Sequence, residues 1–331
     1  MQKINRDVLV DKAVSLLENG TVCAVLGWRQ GEFCYDVTPS VFTDAQDIRD
    51  NFVWGDFCGA NLSKYLINKT KKYDGKLLVF LKPCDTYSFN QLLTEHRFHR
   101  EKVYAVGTPC EGMADIAKIK ASVGEGIVSC TSQGDIMEVE TLYSDEAAKL
   151  NFGDVLAERC ANCKSKKHVA YDELLGESGE VVDSNRFDEV EKIEAMTADE
   201  RYEFWQGELS RCIRCNACRD ACPACTCEKC VFDNPASGVE NKAPTTSFEE
   251  KMFHIIRAFH VAGRCTDCGE CSRVCPQNIP LHLLNRKFIK DINSFYGDYQ
   301  AGECVGSRAP LVNYTLEDLE AADVFVKGDE E

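Results

Sequence analysis

Residues 77–85 read Leu77-Leu78-Val79-Phe80-Leu81-Lys82-Pro83-Cys84-Asp85: five apolar residues run without a polar break into a lysine, a proline, a cysteine and an acid. The pattern returns at 103–111 as Val103-Tyr104-Ala105-Val106-Gly107-Thr108-Pro109-Cys110-Glu111. Short, nearly uninterrupted apolar runs mark strands buried on both faces, as in parallel sheets. A third run, Val22 to Gly27, precedes them, and helical stretches lie at Asn61 to Lys69 and Thr86 to Glu95. An opening helix spans Asn5 to Asn19, with Leu9, Ala13, Leu16 and Leu17 on one face and Gly20 as its stop. Strands alternating with helices, and no tight Asn-Gly hairpin between them, predict an α/β domain with a parallel-strand core over residues 1–150. Two Pro-Cys steps at the ends of neighbouring parallel strands put both thiols at the carboxyl edge of the sheet, where open α/β sheets gather their ligands.

Downstream the character changes. From Ser144 to Ser210 the chain is polar and acidic and the strand signal is lost, leaving one helical segment, Arg186 to Met196; residues 151–210 read as a connecting segment. Then come Cys212, Cys215, Cys218 and Cys222 followed by Pro223, and Cys265, Cys268, Cys271 and Cys275 followed by Pro276. Each is C-x2-C-x2-C-x3-C-P. Three thiolates on one loop wrap three irons of a cubane, while the fourth, carried onto a following helix, reaches the other cluster. The spacing therefore predicts one 4Fe-4S cluster on Cys212, Cys215, Cys218 and Cys275, and a second on Cys265, Cys268, Cys271 and Cys222. A structural zinc site needs four ligands and leaves the duplicated proline unexplained. Between the motifs lie a polar loop, Asp233 to Thr246, and a helix opened by the capping box Ser247, Phe248, Glu249, Glu250, with Phe248, Met252, Ile255, Ile256 and Phe259 on one face. With the last helix, Leu281 to Ile292, these features predict a mainly helical ferredoxin-like iron-sulfur domain over 211–300 and a C-terminal tail over 301–331, acidic from Glu317 onward.

The remaining cysteines divide into three groups. Cys160 and Cys163 form a C-x2-C pair which, with the strand-end Cys84 and Cys110, supplies four thiolates for a third 4Fe-4S cluster; a reactive disulfide is the rival reading of the pair. Cys225, Cys227 and Cys230 follow the first motif directly. They suit a fourth cluster, with Cys58 or Cys304 as the missing ligand; the alternatives are a zinc ribbon in which Cys227 and Cys230 join Cys160 and Cys163, and partial redundancy among the three. Cys23, Cys34 and Cys130 stand alone in apolar surroundings and read as small buried hydrophobes.

Composition narrows the function. Among 331 residues there are 54 acids, 38 bases and 20 cysteines, for a net charge of -16. A nucleic-acid interface would meet repulsion. No apolar run reaches the roughly 18 residues that span a bilayer, which leaves no membrane span and a cytoplasmic expectation. So many cysteines in such a compartment point to metal or redox chemistry. His96, His99, His254, His260 and His282 form no acid-base constellation, and no catalytic residue is assigned.

Taken together, Lys82-Pro83-Cys84-Asp85, Gly107-Thr108-Pro109-Cys110, the Cys160 and Cys163 pair and the run from Cys212 to Cys230 resemble the beta subunit of coenzyme factor-420 (deazaflavin) hydrogenases and dehydrogenases, in the formate-dehydrogenase-like branch with a fused ferredoxin domain. The resemblance covers about residues 5 to 300. It implies an electron-transfer subunit of an anaerobic multisubunit oxidoreductase, of the kind linked to heterodisulfide-reductase-type flavoproteins and electron bifurcation. It also implies FAD in some members, although Gly-x-Gly-x-x-Gly is absent and no flavin ligand is assigned. Three readings follow: a relay between a partner's flavin or metal site and a carrier such as ferredoxin, a FAD-containing catalytic subunit acting on deazaflavin or nicotinamide, and a structural metal scaffold.

Overall fold

The computed structural model describes residues 4–180, 185–234 and 247–312. Helix α1 (Arg6–Glu18) starts where the Asn5 side chain accepts a hydrogen bond from the Asp7 N–H at 3.1 Å, and it buries Leu9, Val10, Ala13 and Leu16. Strand β1 (Ala24–Gln30) pairs antiparallel with β2 (Val37–Phe42). Helices α2 (Ala45–Asn51) and α3 (Ser63–Lys72) lead to β3 (Leu77–Leu81), which lies parallel to β1 in the register Ala24 to Leu77. All five β3 side chains are fully buried, as a central parallel strand requires. Burial of each such Leu or Phe is worth roughly 1.5–3 kcal/mol. Pro83 opens α4 (Pro83–Thr94), a position whose N–H has no helical partner to lose. Strand β4 (Val103–Gly107) pairs parallel with β3 from Leu77–Val103 to Leu81–Gly107, so Cys84 and Cys110 both emerge at the carboxyl edge of adjacent strands.

Three features depart from the sequence reading. After α5 (Ile116–Val123), strands β5 (Ile127–Gln133), β6 (Ile136–Thr141) and β7 (Ala148–Asn151) form a separate antiparallel sheet. Its first hairpin turns at Gly134-Asp135, with Gly134 at φ 60°, a turn that a search for Asn-Gly passes over. Past the short α6 (Glu158–Ala161), β8 (Glu173–Leu174) adds to the main sheet, whose order is β2-β1-β3-β4-β8. Both β7 and β8 fall where the strand signal was read as lost. At four and two residues, they are too short to show a period.

The C-terminal half is helical: α7 (Asp188–Glu194), α8 (Ala198–Ser210), α9 (Ala217–Asp220), α10 (Ser247–Val261), α11 (Glu270–Arg273) and α12 (Leu281–Tyr296). Helix α10 corrects the third expectation. It turns Phe253, His254, Arg257, Ala258 and Val261 inward, while Ile255 and Phe259 are 39% and 61% exposed. The apolar stripe and the buried face therefore coincide only in part: Ile256 packs against the inner cluster, while the rest of the inward face confronts cysteine loops with His254 and Arg257. The polar loop from 235 onward, the side chains of the Ser247–Glu250 capping box and the acidic run Glu317–Glu331 lie outside the described residues.

After α12 the chain returns to the α/β half. The Tyr299 hydroxyl still bonds within the helical half, donating to the Gly263 carbonyl at 2.9 Å, whereas the Gly306 N–H reaches α4 and donates to Thr94 Oγ1 at 2.9 Å. Between them Gly302, at φ 77°, lies against α4 so closely that a Cβ there would stand 1.9 Å from the Tyr87 carbonyl oxygen. Only glycine fits this approach.

Candidate metal centres

The two ferredoxin motifs repeat in backbone as well as in sequence. Arg214 and Asn216 have φ 56° and 62°; Asp267 and Gly269, at the same places in the second motif, have 56° and 68°. A four-residue helix, α9 or α11, follows each. Left-handed residues set between right-handed ones turn successive N–H groups into a concavity that favours anions, a geometry common around iron-sulfur clusters.

Three sets of cysteines gather. Cys212, Cys215, Cys218 and Cys275 line one small cavity with Arg214, Phe253 and His254. The motifs are thus interleaved in space, with Cys275 seated among the first three cysteines of the other motif. His254 Nε2 lies 3.2 Å from Cys212 Sγ, and burial with Arg257 and Arg214 nearby lowers the His254 pKa to about 3, so the ring is neutral. In the second set, Cys222 lies within electrostatic reach of Cys265, Cys268 and Cys271. The Asn285 side-chain N–H2 approaches Cys271 Sγ at 3.7 Å. In the third, Cys84, Cys110, Cys160 and Cys163 line a cavity together with Lys82, Arg159, Lys164 and Lys166. Those four cations suit an anionic occupant. Asp267 and Cys268 line that cavity too, so the second and third sets adjoin.

Buried thiols resist ionisation. Burial pushes Cys110, Cys218 and Cys265 up to about 12, and Cys84 and Cys268 well above the ordinary thiol value. Thiolates there need a cationic partner such as iron. Within each of the first and third sets the cysteines surround a space and do not converge on a point. Among the described residues no three His, Cys, Asp or Glu side chains are disposed to hold a single metal ion. A cluster with an iron at each of four corners spreads its ligands around such a space, and the residues fit that group.

The zinc pairing is not brought together: Cys160 and Cys163 sit with Cys84 and Cys110, whereas Cys227 is exposed near Lys64 and Arg264. Cys225 sits beside Cys222, and Cys230 packs at the edge of the Phe232–Phe253 cluster. The two named fourth ligands lie elsewhere. Cys58 is buried in the α/β core within reach of Cys110, and Cys304 is exposed. Of the cysteines read as solitary, Cys23 donates to the Lys76 carbonyl at 3.3 Å, and Cys34 and Cys130 are hydrogen-bonded neighbours. His96, His99 and His260 are exposed; His254 and His282 are buried on helices.

Charged residues missed in the sequence hold the sets in place. Arg159 donates to Glu270 Oε1 at 2.7 Å, to the Cys268 carbonyl at 3.0 Å and to the Gly59 carbonyl at 3.0 Å. Asp267 receives Arg286 Nε at 2.9 Å and Arg186 Nε at 2.8 Å. Burial would raise its carboxyl pKa, but these arginines and Lys164 outweigh it and hold the value well below the carboxylate range. Lys82 pairs with Asp85 at 2.8 Å, both almost fully buried, and donates to the Ala60 carbonyl at 2.8 Å. The available signals were position beside a cysteine, for Arg159 and Asp267, and three-residue spacing from His254, for Arg257. A cavity of about 310 Å3, lined by Tyr35, Phe57, Arg273 and His282, shares Met113 and Arg159 with the third set.

The fold and these sets define an iron-sulfur electron-transfer protein in which an α/β unit carries a helical two-cluster module. Residues 208–279 match the family of 4Fe-4S dicluster domains. The chain is 23% identical to the F420-dependent formate dehydrogenase subunit beta of Methanocaldococcus jannaschii, over 83% of this chain and 86% of that one. It is also 23% identical to the F420-dependent formate dehydrogenase 1 subunit beta of Methanococcus maripaludis, over 89% and 92%. A chain of a xenon-derivatised F420-reducing NiFe hydrogenase complex from Methanosarcina barkeri aligns over 50% of this chain and 59% of that one, with 15% identity and a TM-score of 0.38. The sequence resemblance is borne out: the chain is similar over most of its length to beta subunits of F420-dependent formate dehydrogenases, and it carries a 4Fe-4S dicluster domain. Among the described residues no helix is long and apolar enough to cross a membrane.

Proposed function

We propose that this chain relays single electrons through three 4Fe-4S clusters as a cytoplasmic subunit of an anaerobic oxidoreductase complex. Cys212, Cys215, Cys218 and Cys275 hold the first, Cys222, Cys265, Cys268 and Cys271 the second, and Cys84, Cys110, Cys160 and Cys163 the third. The observation that carries the reading is Cys268, which belongs to the second set and lines the cavity of the third. Adjoining clusters pass electrons one at a time, which suits a path between a partner's flavin or metal site and a carrier such as ferredoxin. The beta-subunit names of its relatives support membership of a larger assembly, and the bifurcating complexes suggested by the sequence are such assemblies. Iron analysis tests the count: anaerobically purified protein should hold about twelve irons, three cubanes' worth, and Cys84→Ala with Cys110→Ala should leave about eight. Eight irons in the unaltered protein would remove the third cluster from the proposal.

The cavity beside the third set favours a second reading. At about 310 Å3 it falls at the lower end of small-molecule sites, and it abuts the third set through Arg159 and Met113. A flavin ring there would exchange electron pairs with deazaflavin or nicotinamide and hand them singly to the clusters. Anaerobic turnover separates the two. The relay predicts dye-driven reduction of the clusters with no oxidation of hydrogen, formate or reduced nicotinamide by the chain alone, whereas flavin-dependent turnover by the chain alone favours the second reading.

A further inference from the structure

Cys225 is absorbed by neither ferredoxin motif, and its surroundings differ from those of Cys227 and Cys230. The chain turns tightly from Cys222 to Cys225, whose N–H donates to the Cys222 carbonyl at 3.1 Å. The turn brings the two side chains into hydrogen-bond contact and packs Cys225 into one apolar cluster with Cys222, Ala224, Val261 and Cys265. From the α/β half, Lys64 Nζ donates to the Cys225 carbonyl at 2.5 Å and pins the turn. A second observation points the same way. Arg257 is 4% exposed; its Nη2 donates to the Cys218 carbonyl at 2.9 Å, and its Nε has no hydrogen-bond partner among the described residues. Its charge is felt by Cys218, Cys222, Cys225 and Cys271. A buried, incompletely bonded cation among these thiols marks a place built for more negative charge than the protein itself supplies.

We propose that Cys225 is a reserve ligand of the second cluster: it donates its S–H to the Cys222 sulfur in the unaltered protein and takes over that iron when Cys222 is lost. The inference rests on the relay reading above. The step is balanced without redox change: in the chain lacking the Cys222 thiol, the iron it would have held bonds the Cys225 sulfur instead, and the Cys225 thiol proton passes to solvent. It also separates Cys225 from Cys227 and Cys230, which then lack the ligands for a cluster of their own.

The test is iron content with low-temperature paramagnetic resonance of the reduced full chain, using Cys268→Ala to identify the second cluster's signal. Cys225→Ala should keep about twelve irons. Cys222→Ala should keep that iron and a second-cluster signal with altered line shape. Cys222→Ala combined with Cys225→Ala should lose about four irons and that signal, while the first cluster's signal reports that the module remains folded. Loss of the second signal in both Cys222→Ala and Cys222→Ser would overturn the inference, and so would its survival in the double variant. If the unaltered protein holds no cubane, the relay reading itself falls; clusters present in it with either overturning result sink the reserve ligand alone.

Discussion

The α/β half and the ferredoxin-like half are stabilised by different means. Around β1, β3 and β4 the interior is a continuous apolar body of Leu, Val, Phe and Trp side chains. In the cysteine-rich half the apolar clusters are small, and Asp267, Glu270, Arg257, His254 and Arg286 are all buried there. The first half has a core of its own. The second depends on buried cations and carboxylates and on its iron-sulfur clusters, as small modules without a large core depend on metals.

The strongest way to break this contrast is to remove the iron. After reduction and chelation, amide exchange across residues 212–222 and 265–275 should rise to the rate of an open chain, while β1, β3 and β4 stay protected. Equal loss in both halves would refute the division. Single substitutions sharpen it. Phe80→Ala should cost about 3–5 kcal/mol by denaturant titration and leave iron content unchanged. Asp267→Asn strands the buried Arg286 and the partly buried Arg186, at a comparable cost of about 3–5 kcal/mol, and should lower iron content as well.

The smallest effect is expected where the halves meet. Glu95 accepts from Arg264 at 2.7 and 2.8 Å, from Gln91 at 2.9 Å and from Thr226 at 3.2 Å. Burial opposes the charge, but these donors prevail and lower its pKa. A carboxylate with a depressed folded pKa contributes stability that is complete above its unfolded value, near 4.3, and is lost as pH falls through the folded value. Glu95→Gln should therefore cost about 1–3 kcal/mol at pH 7, with the gap to the unaltered protein closing below about pH 4. A gap that persists at low pH would assign Glu95 a packing role.

The cysteine sets differ in how much of them the sequence reveals. The cross-ligated spacing around Cys212 and Cys265 is local, so chemistry alone suggested its grouping. The Cys84, Cys110, Cys160 and Cys163 set needed the parallel pairing of β3 with β4, which two matching Pro-Cys steps made readable. Arg159, Arg257 and Asp267 were not legible, because a buried charge looks like a surface one until its partners, distant in sequence, are known. The hairpin at Gly134 and the two-residue β8 were lost for lack of a period.

The close seat of Gly302 against Tyr87 changes how the ferredoxin-like half should be regarded. It is not an appendix hanging from the end of the α/β half. The chain leaves β8 for the cysteine-rich helices and comes back to α4, so that half is a large insertion fastened at both ends. Undocking it must form a closed loop of chain, and closure keeps each face at high effective concentration beside the other. Opening the joint between the halves is thus a breathing motion that reseals, and a side chain at position 302 would push the returning segment off α4 and loosen the second fastening.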